Sequence, residues 1–209
     1  MSSNLLEPTV FLIDDDSAVR HSLSLLLSTF GMPVETYASA EDFLKTWNPE
    51  AVGCLVMDVR MPGISGFSVQ DVLRARQIPI PIIFITGHGD LNACRRAFQG
   101  GAVDFLTKPV DEQALMEGIR KAIQRDVRSR RSFQETQLSK ERMERLSSRE
   151  REVLRLIIEG LPNKAIAQQI GLSTRTIESH RARIVNKLEV ESLAGLIRTA
   201  VLAETSEAM

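Results

Sequence analysis

The sequence has few of the residues that build disulfide frameworks or structural zinc sites. Its 209 residues include two cysteines, Cys54 and Cys94, no CxxC pair and only three histidines. These numbers argue against both kinds of site, and we expect the two cysteines to be buried thiols. No apolar run approaches the roughly 18 residues of a membrane span, and residues 1–8 lack the basic and apolar regions of a signal peptide. We therefore expect a cytoplasmic protein without membrane contact.

The composition is that of a folded protein with unevenly distributed charge. Hydrophobic residues make up 43% and charged residues 25% of the chain, which excludes a disordered or collagen-like protein. The length favours two domains. Residues 1–126 contain 11 Lys and Arg against 16 Asp and Glu, whereas residues 127–209 contain 15 against 11. The C-terminal part is therefore the candidate for contact with a polyanion.

The first part of the chain alternates short apolar runs with longer amphipathic ones, which predicts an α/β fold. The predicted strands are residues 9–13, 33–37, 54–57, 80–85 and 103–106. A helical pattern follows each strand, beginning near Ser17, Ala40, Ser65, Asp90 and Asp111. Strands that are apolar throughout are buried on both faces, so the sheet should be parallel with helices on each side. Ligands of such sheets lie beyond the carboxyl ends of the strands.

A long helical pattern follows the fifth predicted strand. From residue 112 to about 145 only Gly118 interrupts the helix formers. The favoured interpretation is a helix of the first domain that continues as a charged, exposed linker helix, about 50 Å long at 1.5 Å per residue. A frayed linker is the alternative. The predicted boundaries are a first domain at 1–126, a linker at 127–145 and a second domain at 146–209.

The second domain has helical patterns and no strand pattern. Ser147 and Glu150 form a capping box before its first helix. Three further helices are predicted over 164–170, after Ser173 and from about Ser192. The tight turn at Gly171 gives an all-α four-helix unit of the helix-turn-helix kind.

Acidic residues follow two strands of the predicted sheet. Asp14, Asp15 and Asp16 come directly after the first strand, and Asp58 comes after the third. Asp16 is also placed to cap the first helix. Carboxylates that converge at one edge of a sheet repel one another unless a cation joins them. Mg²⁺ is the natural candidate, because it prefers oxygen ligands and also binds phosphate.

Two more strand ends suit phosphate chemistry. Thr86 follows the fourth strand and Lys108 follows the fifth, so a hydroxyl and an ammonium reach the same crevice. Asp58 can attack a phosphoryl group while the cation and Lys108 neutralise its oxygens. Either residue alone would be an ordinary surface residue, but their joint placement indicates a phosphoryl-transfer site.

The motifs FLIDDD, LVMDVRMPGISG, FITGHGD and GAVDFLTKP, spread over residues 8–125, resemble the receiver domains of two-component response regulators. The resemblance implies a flavodoxin-like, doubly wound sheet of order 2-1-3-4-5. It also implies that Asp58 accepts a phosphoryl group from a phosphohistidine on a sensor histidine kinase. The implied Mg²⁺ ligands are Asp15, Asp14 through water, Asp58 and the backbone carbonyl of Arg60.

The same resemblance assigns roles to three further positions. Lys108, before a proline that the family usually keeps in the cis form, is the implied phosphate-binding cation. Thr86 and Phe105 are the implied switch pair, in which the hydroxyl moves toward the phosphoryl group and the ring rotates inward. An ordinary core aromatic is the alternative for Phe105.

The third helix of the second domain suits the major groove of DNA. Ile177, Ile184 and Leu188 repeat at helical spacing and should face the core. The opposite face offers phosphate contacts from arginine and lysine and base contacts from Glu178 or Ser179. The predicted DNA-facing residues on this face are Thr174, Arg175, Glu178, Ser179, Ala182, Arg183 and Lys187.

Residues 146–190, with LSSREREVL, GLPNKAIAQQIGLS and RTIESHRARIVNKL, resemble the LuxR-type output domain. With the receiver before it, the chain is similar to FixJ/NarL-type transcription factors. In those proteins the residues matching His180 and Lys187 are directed toward the DNA backbone. The last helix, with Leu193 and Ile197, either forms a dimer contact or packs on its own domain.

The resemblance predicts a response regulator that is phosphorylated at Asp58, dimerises through helix four, strand five and helix five, and binds operator DNA, with RNA polymerase as a further partner. No enzymatic turnover is expected beyond self-phosphorylation and slow dephosphorylation. One rival is an aspartate-based phosphatase, but Arg60 stands where it needs a second Asp. The other is a DNA-binding protein with a purely structural receiver, which the joint presence of Asp15, Asp58, Thr86 and Lys108 disfavours.

Overall fold

Residues 7–87 and 89–205 are described by the computed structural model, which divides the chain into one unit that ends at Arg130 and another that begins at Arg131. Residues 1–6, where no signal peptide is expected, and 206–209, the end of the predicted second domain, lie outside the described part. Within the described part, no helix has the length and apolar character needed to cross a membrane.

The first unit is a five-stranded parallel sheet with helices on both faces, which confirms the predicted fold class. Its strand order is β2-β1-β3-β4-β5, and all four strand pairs are parallel. The strands are β1 (Thr9–Ile13), β2 (Val34–Tyr37), β3 (Gly53–Asp58), β4 (Ile82–Thr86) and β5 (Asp104–Thr107). The helices are α1 (Ser17–Thr29), α2 (Ala40–Thr46), α3 (Gly66–Ala75), α4 (Leu91–Gln99) and the first part of α5 (Glu112–Glu144).

The sheet separates two apolar cores because successive side chains of a strand point to opposite faces. On β3, Leu55 and Met57 belong to the core that contains Phe43 of α2. Cys54 and Val56 belong to the other core, which contains residues of α1 and α5. Cys54 is buried as expected, but Cys94 is only half-buried, since α4 is amphipathic and buries Ala97 alone among its residues.

A buried ion pair fastens α5 to the N-terminal end of β3. Asp126 is fully buried and accepts hydrogen bonds from the backbone N–H of Gly53 at 3.0 Å and from Arg130 Nε at 2.9 Å. The guanidinium of Arg130 also donates to the backbone carbonyls of Pro49, Glu50 and Ala51. A Cβ at Gly53 would overlap the carbonyl oxygen of Thr9, so the close approach of β1 and β3 at this point requires glycine.

The described residues of the second unit, 131–205, form four helices besides the end of α5. They are α6 (Ser148–Ile158), α7 (Asn163–Ile170), α8 (Thr174–Leu188) and α9 (Leu193–Thr205). The predicted capping box is present, because Ser147 Oγ accepts from the Glu150 N–H and the Glu150 carboxylate accepts from the Ser147 N–H. Gly171 has a left-handed backbone with φ of 69°, which lets the chain turn sharply between α7 and α8.

Helix α5 is continuous from Glu112 to Glu144, so the helical interpretation of the long pattern is confirmed over the frayed one. Its residues from Arg131 onward are part of the second unit. There Ser139 is buried and Met143 packs against the core of that unit. The second unit therefore includes residues that the sequence pattern alone assigns to an exposed linker.

Candidate functional site

The polar residues predicted from four strand ends come together in the first unit. Asp14 directly follows β1, Asp58 and Thr86 end β3 and β4, and Lys108 directly follows β5. Because the strands are parallel, their carboxyl ends share one edge of the sheet. Carboxylate oxygens of Asp14, Asp15 and Asp58 lie within 4.8 Å of one another. We call the cluster of these three carboxylates at the edge of the sheet the acidic pocket.

Lys108 bridges two carboxylates of the acidic pocket. Its Nζ donates to Asp14 Oδ2 and to Asp58 Oδ2, each at 2.6 Å. Burial raises the pKa of Asp14 although the Lys108 hydrogen bond opposes this. Burial lowers the pKa of Lys108, but its bonds to the two carboxylates outweigh burial and the pKa is raised. Lys108 therefore stays an ammonium and offsets the repulsion between the carboxylates.

Asp58 is held by backbone groups as well as by Lys108. Its Oδ1 accepts from the Arg60 N–H at 2.9 Å, so the Arg60 backbone lies beside it. Gly66, the first residue of α3, lies against the Asp58 carbonyl oxygen so closely that a Cβ would overlap it. Asp58 is only 7% exposed. The bonds from Lys108 and from the Arg60 N–H fix the direction of its carboxylate, and the glycine at position 66 lets α3 begin close to its backbone.

The acidic pocket suits a hard divalent cation. Its potential ligands are carboxylate oxygens, with Asp15 exposed and Asp14 and Asp58 buried. Oxygen donors of this kind are the ligands of Mg²⁺, which keeps several waters and needs few protein groups. Asp14, Asp15 and Asp58 are the side chains able to hold it.

The two residues predicted to switch lie on neighbouring strands. Thr86 is 1% exposed, and the backbone N–H of Lys108 donates to its carbonyl at 2.8 Å. Phe105 is half-buried and packs against Phe84, with ring centroids 6.4 Å apart. Phe84 in turn packs against Phe67 of α3 at 5.0 Å. The peptide between Lys108 and Pro109 is cis, as the resemblance implies.

Sequence patterns gave no reason to single out Arg20. On α1, its Nη1 donates to the backbone carbonyl of Asp14 at 2.6 Å, which ties the first turns of α1 to the end of β1. No spacing rule marks it, because the contact depends on how the loop after β1 folds back. Arg20 thus holds the backbone at Asp14, the residue that leads from β1 into the acidic pocket.

Helix α8 of the second unit presents the predicted polar face to solvent. Ile177, Ile184 and Leu188 are fully buried in the core of the unit, as predicted. The predicted DNA-facing residues that are exposed are Thr174, Arg175, Glu178, Ser179, Ala182 and Arg183. His180 is half-buried, and its Nδ1 is buried without a hydrogen-bond partner among the described residues.

Lys187 differs from the other predicted DNA-facing residues because its ammonium has a partner within the unit. Its Nζ lies 2.7 Å from Glu150 Oε2, in the capping box of α6. Glu150 is only 3% exposed. The sequence motif identified Glu150 as a capping residue but not as the partner of Lys187.

Helix α9 packs on its own unit along one face. Leu196, Ala200 and Ala203 are buried. Leu193, Ile197 and Val201 are exposed to 49%, 37% and 52%, so the opposite face leaves an apolar row at helical spacing. The intradomain interpretation of the last helix therefore holds for one of its faces.

An acidic pocket at the carboxyl edge of a doubly wound sheet, followed by a helix-turn-helix unit, defines a response regulator. Two families match the chain: the response regulator receiver domain over residues 10–120 and the LuxR family of bacterial regulatory proteins over residues 144–200. The chain belongs to the response regulators that join these two domains. It is a phosphorylation-dependent regulator of transcription.

Several named proteins are similar to this one over most of the chain. Nodulation protein W of Bradyrhizobium diazoefficiens is 44% identical over 190 residues, covering 90% of this chain and 83% of its own. Transcriptional regulatory protein FixJ of Azorhizobium caulinodans is 42% identical, with 95% and 94% covered. A solved structure of response regulator StyR is 43% identical with a TM-score of 0.85, and 93% of this chain and 98% of that chain are covered.

Proposed function

We propose that Asp58 is the phosphoacceptor and that its donor is a phosphohistidine on a sensor histidine kinase. A carboxylate oxygen of Asp58 attacks phosphorus, and the bond from phosphorus to the histidine nitrogen breaks as the electron pair returns to the imidazole. The observation that carries this proposal is the Lys108 ammonium shared between Asp14 and Asp58 at 2.6 Å from each. It places one fixed positive charge where negative phosphoryl oxygens arrive.

Mg²⁺ held by Asp15, Asp58, the backbone carbonyl of Arg60 and, through water, Asp14 would neutralise phosphoryl oxygens and orient the donor. Lys108 then exchanges its bond to the Asp58 carboxylate for one to the phosphoryl group. Only slow self-dephosphorylation is expected, because Arg60 stands where an aspartate-based phosphatase needs its second carboxylate. The protein therefore acts as a switch and not as a turnover enzyme.

Phosphorylation is proposed to act through Thr86 and Phe105 and to produce a homodimer. The Thr86 hydroxyl bonds the phosphoryl group, and the half-buried ring of Phe105 turns inward. The proposed dimer face combines α4, β5 and the first part of α5. Leu91 and Phe98 of α4, which are 75% and 48% exposed, give this face apolar surface that association would bury.

The phosphorylated dimer is proposed to bind operator DNA in the cytoplasm and to act together with RNA polymerase. Helix α8 enters the major groove, where Arg175 and Arg183 contact phosphates and Glu178 or Ser179 reads base edges. Two output units recognise half-sites about one helical turn apart. A monomer makes half the phosphate contacts and binds weakly at physiological salt, so phosphorylation raises operator occupancy.

The test compares wild type with Asp58→Asn after incubation with Mg²⁺ and a small phosphodonor. Intact mass should show one phosphoryl adduct on wild type and none on Asp58→Asn. Asp42→Asn, which changes an exposed carboxylate on α2, is the control and should behave as wild type. Selection of genomic DNA fragments with the phosphorylated protein then gives probes for gel shifts. An adduct on Asp58→Asn, or equal DNA binding with and without phosphodonor, would contradict the proposal.

A further inference from the structure

We propose that Glu189 positions α8 for DNA binding by tying the C-terminal end of this helix to the last turn of α5. The inference rests on the proposed role of α8 as the helix that enters the major groove. It assigns Glu189, Arg142 and Arg145 as positioning residues, which act through α8 and do not themselves contact DNA.

Glu189 occupies a backbone conformation that usually belongs to glycine. It follows the last residue of α8 with φ of 54°, and its N–H donates to the carbonyls of Val185 and Asn186. Residues other than glycine are uncommon in this left-handed region, and glycine is the usual residue directly after a helix. Glycine would end the helix at least as well, so the turn itself does not require a glutamate at this position.

The side chain of Glu189 binds two arginines at once. Its Oε2 accepts from Arg142 Nη2 at 2.6 Å, and its Oε1 accepts from Arg145 Nη1 at 2.8 Å. Arg142 lies in the last turn of α5 and Arg145 follows that helix. Both carboxylate oxygens have charged donors, so the direction of the side chain is fixed more firmly than by a single ion pair.

The end of α5 is itself anchored to the second unit by other contacts. Glu135 accepts from Arg198 of α9 at 2.6 Å, Ser139 is buried, and Met143 packs on the core. Glu189 therefore joins the end of α8 to a segment that is already held in place. Lys187, two residues earlier, joins the same end of α8 to Glu150 of α6.

Two attachments at one end of α8 set its tilt and its rotation about its own axis. A recognition surface works only if its side chains are held within about 0.5 Å of the productive geometry. Arg175 and Arg183 lie on the exposed face of α8, so a change of tilt moves both relative to the DNA backbone. Loss of the Glu189 contacts should therefore weaken DNA binding without unfolding the unit.

The test uses the full-length phosphorylated protein and DNA fragments selected with wild type. Glu189→Gln removes the ion pairs, and Glu191→Gln, which removes an exposed carboxylate two residues away, is the matched control for net charge. We expect Glu189→Gln to bind about three- to tenfold more weakly than Glu191→Gln, as for side chains that are directly coupled. Glu189→Gly should show the same loss with unchanged or higher thermal stability, because glycine favours the left-handed backbone.

A double-mutant cycle identifies the partners. Arg142→Gln with Arg145→Gln should weaken binding in the wild-type background and weaken it much less in the Glu189→Gln background. Equal affinities of Glu189→Gln and Glu191→Gln, or losses that add fully in the combined variant, would overturn the inference. Failure of wild type to retain any DNA would overturn the proposed function instead, and it is seen before any variant is compared.

Discussion

The carboxylate of Glu150 and the ammonium of Lys187 join the start of α6 to the last turn of α8, with 2.7 Å between Oε2 and Nζ. The same oxygen accepts from the Ser147 N–H at 2.8 Å, so one buried carboxylate serves both a helix cap and an ion pair. The hydrogen bond from Lys187 lowers the pKa of Glu150 to about 2, although burial opposes this. The contact predicts how the stability of the second unit depends on pH and how its affinity for DNA depends on salt.

Acid should destabilise the second unit through Glu150. A carboxylate whose folded pKa is about 2, against an ordinary 4.5, adds stability above pH 4.5 that is lost as the pH falls toward 2. Glu150→Gln should reduce the change in stability of the second unit between pH 4.5 and pH 2. Thermal unfolding followed by far-UV circular dichroism between these pH values checks it, while fluorescence of Trp47, the single tryptophan, reports on the first unit.

Glu159→Gln is the control for this pH dependence, because Glu159 is exposed and lies 3.7 Å from Arg155. It should keep the wild-type curve. A Glu150→Gln protein with the same slope between pH 4.5 and 2 would show that Glu150 does not titrate in this range.

Lys187 and Arg183 should differ in how their loss changes the salt dependence of DNA binding. Arg183 is exposed, so Arg183→Met should reduce the slope of log K against log salt by about 0.9, the value for one phosphate contact. Lys187→Met should change the slope less, but should lower the stability of the second unit by about 1–3 kcal/mol because Glu150 remains buried without its ammonium. Gel shifts at several salt concentrations and thermal melts measure both; equal slopes for the two variants would assign Lys187 to a phosphate.

Removal of Lys108 should destabilise the first unit. Without the ammonium, Asp14 and Asp58 remain within 4.8 Å of each other, and the free energy of unfolding at pH 7 should fall by about 1–3 kcal/mol. Added Mg²⁺ should stabilise Lys108→Met more than wild type, because it supplies the missing positive charge. Urea unfolding followed by Trp47 fluorescence, with and without Mg²⁺, checks this.

The matched control for Lys108→Met is Lys121→Met, since Lys121 is exposed and its nearest carboxylate, on Glu117, is 3.8 Å away. It should change the unfolding free energy by less than about 0.5 kcal/mol. Similar losses from the two lysines would refute the role of Lys108 as the shared cation.

Gly66 should tolerate no side chain. A Cβ there would overlap the Asp58 carbonyl oxygen and approach the Phe84 ring, so Gly66→Ala should cost about 1–3 kcal/mol in stability and slow phosphorylation by displacing Asp58. At Gly87 a Cβ meets nothing within 4 Å, and Gly87→Ala should leave stability nearly unchanged. Urea unfolding measures the stability of each variant, and the rate of adduct formation measures its phosphorylation. A Gly66→Ala protein with wild-type stability and a wild-type rate of phosphorylation would contradict the prediction.

Features that depend on local pattern could be predicted from the sequence. The first predicted strand matches β1 at both ends, and α1 and α2 begin at the predicted residues. The sequence predicts that Asp14, Asp58, Thr86 and Lys108 lie together, because each stands at the carboxyl end of a predicted strand of one parallel sheet. That inference needs only the βα rhythm and the rule that carboxyl ends of parallel strands share an edge.

Contacts between side chains far apart in the chain could not be predicted in this way. Arg20 reaches the Asp14 carbonyl through the fold of a loop, and Glu189 meets Arg142 only because α5 continues into the second unit. Lys187 is predicted to face DNA from its position on the helix, and its length also brings its Nζ to 2.7 Å from Glu150 Oε2, a contact that this position does not indicate. Neither helical period nor motif spacing carries such information, since both describe backbone placement.

The ion pair between Asp126 and Arg130 determines where the first unit can be cut from the rest of the chain. Truncation after residue 126, the boundary that the sequence suggests, would remove Arg130. The loop before β3 would then lose the guanidinium that donates to three of its carbonyls. An isolated receiver fragment should therefore extend at least through Arg130. A fragment cut earlier should be digested by proteases within residues 49–51, whatever the state of the acidic pocket at the opposite, carboxyl edge of the sheet.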